Sequence, residues 1–321
     1  MAKDDVFDAF EDPIRARAGS DGVDSDRAGS GNPWLITPGG RRYEPDYGLL
    51  QTLLAIPIDA GSGSESGRLA SAIDAWVAAE LRRAGFPADE VWPRLTKPRV
   101  LPREVGLFLH ALPKKLRSDV EAHLVRNATV APRDAKVLGR AYVKQVDVVI
   151  AQWSRGPELM VSTKSMVSSF GNNLKNRFEE SYGDAKNLRA RFPLAAIGFL
   201  FVFRSTILAQ PGRFESAIDM LRKLRSEMDV YDATCMVIAE WADDQVAASA
   251  PTHRITIRND VTPPDLQADQ FMAAMIEAVL DRTPVEAHVE VRERHEHRVL
   301  PVNRLDAADG ESDDASDMDL R

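Results

Sequence analysis

The chain has 321 residues, with 41 Lys and Arg against 49 Asp and Glu, for a formal net charge of −8. At 44% hydrophobic and 28% charged residues it has the composition of a globular protein long enough to bury a sizeable core. Its single cysteine, Cys235, excludes a disulfide framework and a cysteine-based zinc site, and the acidic balance excludes a uniformly basic coat.

The acidity is unevenly placed. Residues 1–30 and 305–321 together hold 5 basic and 15 acidic groups, which leaves 36 basic and 34 acidic in the body, a net of +2. Both ends are rich in Asp, Ser, Gly and Ala, so a flexible arm is expected over 1–42 and an acidic disordered tail over 305–321. The opening MAKDDVFDAFEDP has no apolar core of a secretory signal. The longest apolar run, Leu194 to Phe203, is far short of the ~20 residues that span a bilayer. A cytoplasmic protein with no membrane partner is expected.

In chain order, Tyr43 to Ile58 carries an apolar stretch with helical character, followed by the flexible GSGSESG at 61–67. A helix is predicted from Arg68 to Ala84, with Leu69, Ile73, Trp76, Val77 and Leu81 on one face and Gly85 as its stop. Pro87, Pro93, Pro98 and Pro102 make 86–102 irregular, and Arg103 to Val125 reads as helix broken near Pro113, a helical insertion around 86–135. Strands are predicted over Ala141–Ala151 and Glu158–Lys164, joined by a turn at WSRGP. Asn172–Arg191 reads as helix, Leu194–Phe203 as a buried strand, Arg213–Met228 as helix, Thr234–Trp241 as strand and Asp265–Leu280 as helix. The alternation predicts an α/β fold with a mixed sheet flanked by helices over 43–304.

One constellation stands out. Asp147 interrupts an apolar strand in QVDVVI, where a carboxylate is costly unless satisfied. The next strand ends in MVSTKSM, and alternation sets Ser162 and Lys164 on one face with Thr163 on the other. A hairpin therefore gathers Asp147, Ser162 and Lys164 around one point. Carboxylate oxygens hold Mg²⁺, and a lysine beside them orients water or stabilises charge on a phosphate. Further acids are available from Asp74 on the first helix and from Glu179 and Glu180 on the helix after Lys164. The segment SSFGNNLKNR offers Asn172, Asn173, Lys175, Asn176 and Arg177 as partners for phosphates and base edges.

This order of elements over about 65–241 resembles the PD-(D/E)XK nuclease superfamily, whose fold is the restriction-endonuclease-like one. Asp74, in AIDAWVAAELRRAGF, falls where such enzymes carry an acid on their first helix. Ser162-Thr163-Lys164 stands where the (D/E)-x-Lys pattern is expected, so Ser162 departs from it. Some type II restriction enzymes carry S-x-K and take the acid from the next helix within R-x-x-E, which Arg177 and Glu180 match in type. The resemblance implies a Mg²⁺-dependent endonuclease on double-stranded DNA, with Asp147 and Lys164 catalytic, Asp74, Glu179 or Glu180 completing the metal site and Ser162 lining it. A homodimer is the default for cutting two strands. A defence or repair nuclease for modified or structured DNA, and a catalytically inactive DNA-binding or interaction module, are the alternatives.

Blander readings stand beside each residue. Asp147 and Asp74 fit salt-bridged acids, and Lys164 a snorkelling strand-end lysine. Glu179 and Glu180 fit a solvated helix face with a Lys175–Glu179 pair, and Glu80 a buried paired acid. His295 and His297 have strand spacing and read as a solvated edge strand. Cys235 reads as core. Phosphate-binding P-loops, dinucleotide fingerprints and nucleophile elbows are absent from the sequence.

Overall fold

A computed structural model describes residues 5–20, 31–61, 67–127, 129–242 and 254–305. Its centre is a curled six-stranded mixed sheet. The strands are β3 (Val91–Trp92), β6 (Val148–Gln152), β7 (Gly156–Met166), β8 (Ala196–Arg204), β9 (Ala233–Glu240) and β10 (Thr256–Ile257). Across the sheet they run β10-β9-β8-β7-β6-β3. β7, β8 and β9 are mutually parallel, while β6, β3 and β10 join antiparallel to their neighbours. β8 lies between two parallel partners, which is why AIGFLFVFR is buried along all but its last residue.

Alternation along the hairpin divides the core. Val148, Ile150, Leu159 and Val161 face one apolar layer, built from α2 (Tyr47–Asp59), α3 (Arg68–Arg83) and α8 (Ala268–Asp281). Val149, Ala151, Met160 and Met166 face the other, built from α6 (Asn172–Arg189) and α7 (Pro211–Ser226). α8 approaches β8 so closely that a Cβ on Gly198 would lie 2.8 Å from Met275 and from the Phe271 ring.

α3 keeps the predicted face inward: Leu69, Ile73, Trp76, Val77 and Leu81 are buried. It stops in a Schellman motif, with Gly85 N–H donating to Arg82 and Phe86 N–H to Leu81. Gly85 has φ +108°, and a Cβ there would meet the backbone of Glu290 and Val291 at 3.2 Å. Between α3 and the hairpin, α4 (Arg103–Ala111) and α5 (Lys114–Arg126) flank Pro113 and bury Leu109 and Leu124 in a small cluster of their own.

Three expectations need correction. Within the supposed arm, α1 (Asp8–Ser20) and the hairpin of β1 (Trp34–Thr37) and β2 (Gly40–Tyr43) pack on the core, with Phe10, Trp34 and Tyr43 buried. Residues 21–30 and the acidic stretch 306–321 lie outside the described residues. The stretch 141–151 is two strands rather than one: β5 (Val143–Val146), paired with β4 (Ala135–Leu138), and then β6. His295 lies on a helix, α9 (Val289–Glu296), not on an edge strand; its ring packs edge-on against Trp34, and His297 Nε2 lies 2.8 Å from the Trp34 carbonyl. Among the described residues, no helix is long and apolar enough to cross a membrane.

Candidate active site

Asp147 occupies the junction where the chain leaves β4 and begins to pair with β7. The β4–β5 ladder ends at Val146 opposite Ala135, and the β6–β7 ladder begins at Val148 opposite Val161. Beyond that start, β7 has no strand partner on this side among the described residues, and the Asp147 carboxylate takes the ladder's place. Thr163 N–H donates to its Oδ2 at 2.8 Å. The Thr163 side chain points to the opposite layer, as alternation requires, and its hydroxyl donates to Asp74 Oδ1 on α3. Thr163 thus ties two acids, 73 residues apart in the chain, across one strand.

Lys164 and Ser162 face α6. Lys164 Nζ lies 3.9 Å from Glu180 Oε1, and Glu180 is also held by Arg177 at 2.7 Å. Ser162 is buried beside them. The helix turn places Arg177, Glu180 and Asp184 on the same face of α6. Lys144, on β5, contacts Asp184 closely and stands 3.8 Å from Glu180; Tyr142 O–H donates to Asp184 at 2.9 Å. Asn187, one turn further, clamps the hairpin: its side chain accepts from Ala141 N–H at 2.7 Å and donates to the Tyr142 carbonyl at 3.0 Å.

The electrostatics separate these acids. Burial raises the Asp74 carboxyl well above its ordinary range, the Asp147 charge raises it further, and the Thr163 hydroxyl and Lys164 only partly offset this. Burial also raises Asp147, against the opposing pull of Lys164, the Thr163 N–H and Lys144. Glu180 is raised by its partial burial, but Arg177, Lys164 and Lys144 outweigh that and hold it below the usual range. Two buried carboxyls that repel each other offer oxygen ligands of the kind a hard divalent cation prefers, while Glu180 is engaged by Lys164 and Arg177. Asp147 and Asp74, joined through Thr163, supply carboxylate oxygens here, while among the described residues the ligand atoms that lie within 4.8 Å of one another belong to Glu90, Glu158 and His288.

The sequence-derived residues divide accordingly. Asp74, Asp147, Ser162, Lys164, Arg177 and Glu180 gather around this point. Glu179 is exposed on the next face of α6, one residue round from Glu180. Asn173, Lys175 and Asn176 are exposed along the first turns of α6, and Asn172 opens that helix. Glu80 is removed from the site: it is fully buried and bound by Tyr43, Asp46 N–H and Arg83. Lys144, Tyr142, Asp184 and the bridging role of Thr163 were missed. The signal available for Asp184 was its spacing of four from Glu180. A cavity of about 310 Å³ between α1 and α2, lined by Val6, Phe10, Ile56 and Arg68 among others, contains none of these residues. No family model matches the chain, and no curated protein or solved structure matches it either.

Proposed function

We propose that this chain is a Mg²⁺-dependent endonuclease of double-stranded DNA with the restriction-endonuclease-like fold, acting as a type II restriction enzyme. One observation carries the reading: where β6 and β7 part, on an antiparallel hairpin continued by parallel strands, Thr163 bonds both Asp147 and Asp74, and the next residue, Lys164, lies 3.9 Å from Glu180. In this reading Asp74, Asp147 and Glu180 hold Mg²⁺, which supplies Lewis acidity toward the scissile phosphate. Lys164 orients the attacking water and stabilises the charge that grows on the phosphate. Thr163 fixes the two aspartates. Asn173, Lys175 and Asn176 follow the DNA from the exposed start of α6. Cutting both strands calls for a homodimer, which sedimentation of the purified protein tests.

The test is digestion of unmethylated and methylated DNA of many sequences with Mg²⁺, followed by sequencing of the ends. Defined ends that vanish with chelator, and losses of about 10²–10³-fold in Asp147→Ala and Lys164→Ala, are expected. Intact DNA throughout, or full activity in both variants, overturns the reading. One observation favours a second reading, an inactive DNA-binding module. Ser162 stands where the pattern has an acid, while Lys144 and Arg177 already neutralise Asp184 and Glu180. Such a module binds DNA without Mg²⁺ and leaves it uncut.

A further inference from the structure

At the far end of β7 from Lys164, about 20 Å away along the strand by its rise per residue, a second set of ligand atoms converges. Glu90 precedes β3, Glu158 is the third residue of β7 and His288 precedes α9. One ligand atom from each lies within 4.8 Å of the others. The His288 side chain is 0% exposed, and its Nε2 stands 3.3 Å from Glu158 Oε2. Yet neither His288 ring nitrogen, nor Glu158 Oε2, has a partner in hydrogen-bonding geometry. The buried imidazole leaves Nδ1 without a partner, which is costly, and its Nε2 faces the Glu158 carboxylate at ion-pair distance without the alignment of a hydrogen bond.

Two arginines already balance the two carboxylates. Arg155 lies 3.0 Å from Glu90 Oε2 and 3.0 Å from Glu158 Oε2, and Arg103 lies 3.5 Å from Glu90 Oε1. A divalent ion enters such a cluster only if a guanidinium leaves. Arg155 is able to do so, because it sits in the turn between β6 and β7 with its side chain 17% exposed.

We propose that Glu90, Glu158 and His288 form a site for a divalent transition metal of the zinc class, with Arg155 holding its place when no metal is bound. One imidazole nitrogen with two carboxylate oxygens suits Zn²⁺ and disfavours Mg²⁺, which takes oxygen ligands. The role is structural: the metal clasps β3, β7 and the start of α9, segments that span residues 90 to 288. The proposal is independent of the nuclease reading.

The test uses full-length Asp147→Ala, so that the other acid cluster is disabled, stripped with chelator and titrated with Zn²⁺ in a calorimeter and a thermal melt. One equivalent of Zn²⁺ and a raised Tm, with no such effect from Mg²⁺, are expected. His288→Gln then weakens Zn²⁺ binding by about ten-fold or more, and Arg155→Gln tightens it. Absence of binding in Asp147→Ala, or unchanged binding in His288→Gln, overturns the site and leaves an ion-pair cluster only. Should His288→Gln not fold, Arg155→Gln decides: tighter binding supports the site, and unchanged or weaker binding overturns it.

Discussion

Thr163 holds the two acids of the proposed catalytic centre through two different atoms, its N–H on Asp147 and its hydroxyl on Asp74. Both carboxyls are raised in the folded chain. The stability this raising contributes is complete below about pH 4, where unfolded carboxyls are also protonated. It is lost as pH rises through the raised folded values. At neutral pH the two buried acids therefore work against the fold. Asp74→Asn is expected to stabilise it by about 1–3 kcal/mol in chelator, the range for a poorly compensated buried polar group, and to abolish any Mg²⁺-dependent rise in Tm. On the nuclease proposal both acids must be ionised to hold the cation, so cleavage is expected to fall on acidification at a pH above the ordinary carboxylate range; a pH–rate profile checks this. Asp147 and Lys164 were legible in the sequence, since a carboxylate among valines and a lysine at a strand end each ask for a partner. Thr163 was legible only as the residue on the other face. Its bond to Asp74 spans 89 residues, and no local spacing announces such a contact.

Elements with strong periodicity were read correctly, and those whose pattern is interrupted or lacks apolar asymmetry were not. α3 shows its apolar stripe and its terminal glycine openly. Gly85→Ala combines a left-handed backbone with a clash against α9, so a loss of about 1–2 kcal/mol or more is expected in urea unfolding. By contrast, AYVKQVDVVIA looks like one strand because every residue but Asp147 suits a strand. The structure breaks it at that residue, where pairing passes from β4 to β7. α9 was misread for another reason: VEVRERHE has almost no apolar asymmetry, and two histidines at spacing two imitate a strand.

For the molecule as a whole, composition misled at the N-terminus. Acidic residues suggested a loose arm, yet those acids have a buried target. Arg99 is almost fully enclosed and pairs with Asp5 at 2.7 Å, Asp8 at 2.7 Å and Glu11 at 2.8 Å. Phe10 and Ile14 add apolar contact from the same segment. Deleting residues 1–20 strands that guanidinium, and a loss of about 3–5 kcal/mol is expected on urea unfolding; a loose arm would cost nothing. A last consequence concerns how the proposed catalytic centre comes apart. α6 bears Glu180 and Asp184, and Asn187 on the same helix grips the turn that leads into Lys144 and Asp147. Opening α6 therefore releases the hairpin with it. In hydrogen exchange, the amides of α6 and of the β4–β5 hairpin are expected to open as one block, and Asn187→Ala to split that block in two.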